Sequence, residues 1–186
     1  ETEWFDLQVA EVRLSLASKG VLTPAIKDLA ASIFSLLPHT PITAIGLNFH
    51  AHYRIEHIDD YHKVGDTLAP KKIWDQLYPS EAESAGMASL VITIDPFKRE
   101  PTILQHQDVN KKQITVEASR RVKQGIYFAF NDHHPIPKEK DEKDMLSTQA
   151  ELAEKVIEEF WQSAWDESVR VMEGVLDATI GSGGVA

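Results

Sequence analysis

Two imidazoles, His50 and His52, and the carboxylate of Glu56 are the side chains of this sequence best placed to do chemistry together. A His-x-His pair on a strand points both rings to one face, and Glu56 falls on that face too. Two imidazoles and a carboxylate are a usable ligand set for a divalent metal, and a metal there would make the chain a metal-dependent enzyme. The plainer reading is a wet sheet face, on which His50, His52, Arg54 and Glu56 pair with neighbours such as Glu117 for a fraction of a kcal/mol each. Asp132, His133 and His134 invite an acid–base reading, because histidine titrates near neutral pH. No nucleophile lies at a matching spacing, so a strand end before Pro135 reads more simply as a polar exit loop.

The long run Ile42 to Glu56 must position the first set. Thr43, Ile45, Leu47, Phe49, Ala51, Tyr53 and Ile55 fall on one side, with Asn48, His50, His52, Arg54 and Glu56 on the other. That period of two describes a strand with one face in a core and one face polar. In residue type, Gly46, His50, His52, Glu56 and Gly65 resemble the first motif of the cupin barrels. The interval from Gly46 to His50 is too short, the interval to Gly65 too long, and no second motif follows. The chain is not a cupin on these grounds.

Cations gather in two turns, Lys98 with Arg99 and Arg120 with Arg121 and Lys123. In an up-and-down meander these turns share one end of the sheet. Five cations at one rim of a chain carrying −10 leave −15 elsewhere (−10 minus 5). Such segregation suits an anion or an acidic partner; equally, cationic turns keep hairpin ends soluble. Phe160, Trp161 and Trp165 sit together on the last helix, where an aromatic face either packs on its own sheet or anchors self-association.

The remaining pattern gives an α+β, two-layer fold with an antiparallel-dominated sheet of about six strands. Phe5 to Leu16 alternates with a skipped beat near Ala10, which reads as a bulge or the junction of two strands. Thr23-Pro24 opens a helix with the stripe Ile26, Leu29, Ala30, Ile33, Leu36 and Leu37, so a helix follows the first strand. If the strands on either side of it share a sheet, the crossover is right-handed. Ile58 to Gly65 reads as loop, and Ala69 to Tyr78 as a short helix. Strands are expected near Ala88–Asp95, Thr102–Gln107, Gln113–Ser119 and Gly125–Asn131. The sheet domain covers 1–135, followed by a charged linker at 136–146.

A long amphipathic helix then covers 147–178, with a flexible tail at 179–186. Thr148 and Glu151 form a capping box, and Leu152, Val156, Phe160, Val169, Met172 and Leu176 form the apolar stripe. At 1.5 Å per residue this helix reaches about 45 Å, enough to pack on its own domain or to meet a partner.

With 186 residues, 42% of them hydrophobic, the chain can bury a core of its own. The charge of −10 argues against broad affinity for nucleic acid or anionic membranes. No apolar run approaches the ~20 residues of a membrane helix. Cysteine is absent, which excludes disulfides and thiolate chemistry and fits a cytoplasmic setting. The start at Glu1, directly before a strand-like run, suggests a segment upstream. Phosphate-loop, dinucleotide, zincin and nucleophile-elbow motifs are missing. The sequence therefore favours a non-catalytic protein-interaction or assembly module that forms a homo-oligomer or binds a protein partner, and needs no cofactor. A metal-dependent enzyme with a divalent ion at His50, His52 and Glu56 is the alternative.

Overall fold

The computed structural model describes residues 2–21, 23–78, 85–94, 110–137 and 148–181. Its strands are β1 (Phe5–Ala10), β2 (Arg13–Ser18), β3 (Ala44–Arg54), β4 (Ser89–Ile94), β5 (Lys111–Ala118) and β6 (Gly125–Pro135). Its helices are α1 (Pro24–Leu36), α2 (Ile58–Leu68), α3 (Lys72–Leu77) and α4 (Gln149–Ile180). The fold is α+β: β1 and β2 form a two-stranded sheet, and the other four strands form an antiparallel sheet in the order β3-β6-β5-β4. No helix among the described residues is long and apolar enough to cross a membrane.

The skipped beat near Ala10 is a junction: Ala10 pairs with Arg13 across a two-residue turn, and the hairpin closes at Phe5 opposite Ser18. The helix consequently follows the second strand rather than the first. Because β2 and β3 belong to different sheets, no crossover handedness arises. The helix start behaves as its sequence dictates. Thr23 Oγ1 accepts the Ala25 N–H at 3.1 Å, and Pro24 occupies the first turn, where its missing N–H is not needed. The stripe fades at its C-terminal end, where Leu36 is 78% exposed.

The segment read as loop is helix α2. Asp59 and Asp60 in its first turn complement the helix dipole, and Val64 is its one buried side chain. Its apolar residues Ile58, Tyr61, Val64 and Leu68 do recur at helical spacing, but His57 at the N-cap makes no side-chain cap hydrogen bond, so no capping signal marks the start. The strand expected at Thr102–Gln107 and residues 138–146 of the charged linker expected at 136–146 lie outside the described residues.

By chain contacts the molecule divides into two units, and β3, β6 and α4 contribute to both. In the first unit, Ile42, Ile136, Ala150 and Ala153 form a buried cluster joined by Phe34, Ile45, Leu152 and Val156. Backbone pairing ties it together: Ile136 N–H donates to Thr43 C=O at 2.9 Å, and Ile42 N–H donates to Gln149 Oε1 at 3.1 Å. The capping box forms reciprocally, Glu151 N–H donating to Thr148 Oγ1 at 3.2 Å and Thr148 N–H to Glu151 Oε2 at 2.9 Å.

In the second unit, Phe49, Ile55, Ile114, Val116, Ile126, Phe128 and Phe130 are buried on one face of the sheet. Fully burying a side chain of this size stabilises by about 1.5–3 kcal/mol. The buried seam of α4 here runs Ala164, Ser168, Met172, Leu176 and Thr179, with small residues flanking the large Met172 and Leu176. Trp165 meets Phe49 with ring centroids 6.4 Å apart, and Lys112 forms an ion pair with Glu167.

Candidate functional site

Sheet register places the polar cluster. Within the second unit Ile55 N–H donates to Gln124 C=O, a pair whose numbers sum to 179, which sets the antiparallel register of β3 on β6 there. His52 therefore lies opposite Tyr127, and Asn48 opposite Asn131, where Asn131 Nδ2 donates to Asn48 Oδ1 at 2.5 Å. Ser119 N–H donates to Gly125 C=O, which sets Glu117 opposite Tyr127, and Ser89 pairs with Glu117. His52, Tyr127, Glu117 and Ser89 thus form one row across all four strands on the face opposite the buried phenylalanines.

Over the β3, β6 and β5 positions of that row an open pocket of about 390 Å³ is lined by His50, His52, Glu117, Ala118, Arg120, Arg121 and Tyr127. Its rim is the turn from Arg120 to Gln124. Gln124 is held at φ 53°, a left-handed conformation that non-glycine residues adopt at some strain. Gly125 follows where a side chain cannot fit: a Cβ there would lie 2.7 Å from Val122 Cβ and 2.9 Å from the Val122 carbonyl oxygen.

Ser119 organises both the turn and one imidazole. Its Oγ accepts the Arg121 N–H at 3.1 Å and the Val122 N–H at 2.9 Å, which occupies both lone pairs. The hydroxyl proton is then free only to donate, and the atom in reach is His52 Nδ1 at 2.8 Å. His52 Nδ1 must accept, so its ring carries the proton on Nε2.

His50 is set by Tyr127. The Tyr127 hydroxyl lies 2.5 Å from His50 Nδ1, and the Tyr127 ring stacks on His50 and tilts against His52, at centroid distances of 5.8 and 4.8 Å. Burial, then the Glu117 carboxylate, hold the Tyr127 phenol above its usual range, against a smaller opposing pull from Arg121. The phenol stays protonated and can donate to His50. Burial first, then His52 and Arg121, push the His50 imidazole below its usual range. At neutral pH the pocket holds a neutral His50 between two guanidinium groups and one carboxylate.

The residues expected from the sequence distribute unevenly. His50, His52, Arg120 and Arg121 meet in the pocket. Glu56 lies beyond the end of β3 and is not part of the lining, nor is Lys123, which is exposed on the turn. Lys98 and Arg99 lie outside the described residues. Among the described residues no group of three or more His, Asp or Glu side chains is arranged to hold a metal ion.

Asp132, His133 and His134 are not an exit loop. β6 continues to Pro135, and Asp132 and His134 are each 4% exposed on its inward face. Within the first unit the His134 ring lies 4.6 Å from that of Phe160. Phe160 and Trp165 thus meet rings of the sheet and, like Trp161, are half-buried.

Tyr127 and Ser119 were not singled out by sequence as site residues. Alternation of Ile126, Phe128 and Phe130 inward does place Tyr127 outward, so its face was readable while its neighbours were not. Compared with known proteins, the chain matches no family model, no curated protein and no solved structure.

Proposed function

We propose that the chain is a non-catalytic assembly module whose copies associate through the outer edge of the four-stranded sheet. The observation that carries this reading is the chemistry of β4. It is an edge strand, and among the described residues it pairs with β5 alone. Its sequence Ser-Leu-Val-Ile-Thr-Ile has no charge and no proline, and Val91, Ile92 and Ile94 are 52, 44 and 49% exposed. Sheet edges in monomeric proteins are normally guarded by charge, proline or a bulge, since unpaired N–H and C=O groups invite another strand. An antiparallel pairing of β4 with its own copy satisfies those groups on both chains at once under a twofold axis. The aromatic face of α4, packed on its own sheet, offers less free surface for the same purpose.

Light scattering over a concentration series tests it. The reading expects a mass near twice 20.9 kDa that falls to 20.9 kDa in the Val91→Lys, Ile92→Lys double variant. A wild-type monomer at every concentration sinks it, as does a dimer that the double variant leaves intact.

A further inference from the structure

We propose that the pocket on the polar sheet face binds a protonated oxyanion of the phosphate class: Arg120 and Arg121 supply charge, His50 and His52 supply donors, and Glu117 accepts the proton that the ligand carries. The site uses no residue of the β4 edge, so it stands or falls separately from self-association.

The donor inventory points to an oxyanion. Two guanidinium groups at the rim offer forked N–H pairs suited to oxygen anions. Ser119 donates to His52 Nδ1 and the Tyr127 phenol to His50 Nδ1, so each imidazole presents its Nε2–H as a donor. The volume, about 390 Å³, falls within the ordinary range for small-molecule sites and exceeds what a bare ion fills.

Glu117 makes the site selective. A carboxylate inside an anion pocket repels an oxyanion that has lost all its protons, but it accepts a hydrogen bond from one that keeps a P–O–H. Phosphate esters, with a second pKa of about 6, still hold that proton in part near neutrality. Sulfate has none to offer. Glu117 and Tyr127 face each other across β5 and β6, and Glu117 is near enough to hold the phenol above its usual range, so the carboxylate acts inside the pocket rather than beside it. The depressed His50 basicity adds a second discrimination, since a bound anion would offset the charge of Arg121 and let His50 take up a proton.

Long-range ¹H–¹⁵N spectra of the imidazoles in the intact protein, titrated with inorganic phosphate, glycerol 3-phosphate or sulfate at about pH 6.5 and constant ionic strength, test this. The expected result is a saturable shift of the His50 and His52 signals by phosphate, at least about tenfold stronger than by sulfate. Tighter glycerol 3-phosphate identifies an ester as the ligand, and tighter inorganic phosphate the free ion; both support the site. Arg120→Ala with Arg121→Ala should weaken phosphate at least about tenfold. Glu117→Gln should narrow the gap between phosphate and sulfate. Sulfate bound as tightly as phosphate by the wild-type chain overturns the assignment, and so does the lack of any saturable histidine shift. Both variants change exposed or half-buried side chains, and circular dichroism confirms that they fold.

Discussion

Replacing Ser119 by alanine should remove three hydrogen bonds at once and release His52 from its tautomer. Ser119 Oγ accepts from Arg121 N–H at 3.1 Å and Val122 N–H at 2.9 Å, and donates to His52 Nδ1 at 2.8 Å. The Arg121 N–H is exposed and can turn to water, so its loss should be nearly neutral. The Val122 N–H and the His52 nitrogen are half-buried, and each is worth about 0.5–1.5 kcal/mol net. Together they set a destabilisation of about 1–3 kcal/mol, with a smaller loss for Ser119→Thr, which keeps the hydroxyl. Urea unfolding at about pH 8, where histidine is neutral, should show a lower midpoint with an unchanged slope. In the same variant the imidazole nitrogens of His52 should report a mixture of Nδ1–H and Nε2–H forms in place of one. A stability within about 0.3 kcal/mol of wild type, together with an unchanged His52 tautomer, would refute the reasoning, because Ser119 would then be organising neither turn nor ring.

Three further outcomes follow from the same geometry. Gly125→Ala should destabilise by about 1–3 kcal/mol in urea, because the new Cβ meets Val122 and Ser119 at 2.7–3.0 Å, and should move the His50 and His52 signals as the rim shifts. Phe128→Ala should cost about 3–5 kcal/mol, since its side chain is 0% exposed; a loss below about 1 kcal/mol would mean that the site collapses freely. Acidification should destabilise the chain partly through His50. Its folded-state pKa lies below 6.5, so between the folded value and 6.5 the unfolded chain binds the extra proton, and the stability held above 6.5 is lost as pH falls. The groups facing His50 are His52, Arg120, Arg121, Glu117 and Tyr127, so His50→Gln should flatten the fall in urea midpoint from about pH 8 to about pH 5.5, and parallel profiles would exclude His50 as the cause.

Local patterns were legible where they carry their own signal. The alternation from Leu47 to Ile55 and the Thr148–Glu151 box each depend on residues close in sequence, and both appear as the sequence implies. Helix α2 went unread although Ile58, Tyr61, Val64 and Leu68 recur at helical spacing, because His57 at its N-cap supplies no capping signal. The end of β6 misled for another reason: Asp132 and His134 look like surface by type, yet the period of two that buries Phe128 and Phe130 continues through them. The seam of α4 was drawn through its large residues, and Met172 and Leu176 are indeed buried in it, but burial also selects Ala150, Ala153, Ala164 and Ser168, small side chains that hydrophobicity of type does not single out.

The candidate site was half legible for the same physical reason. Residue type named His50, His52, Arg120 and Arg121, but pairing brings them together across a sequence gap of about seventy residues, and register is a long-range property. Register also decides chemistry. A shift of β6 by one residue would send Tyr127 into the core and leave His50 beside no phenol. Glu56 fails as a partner because β3 ends at Arg54, while Glu117, already expected as a neighbour on that face, takes its place from β5. The exchange changes the character of the site. Two imidazoles and a flanking carboxylate form a metal-ligand set, whereas two imidazoles held by a hydroxyl and a phenol, with guanidinium groups at the rim, form a set of donors. On a chain of net charge −10 such a set works only at short range, since the wider field repels the anion it would hold. Selectivity must therefore come from directed hydrogen bonds, and Ser119 and Tyr127 aim those of the two imidazoles.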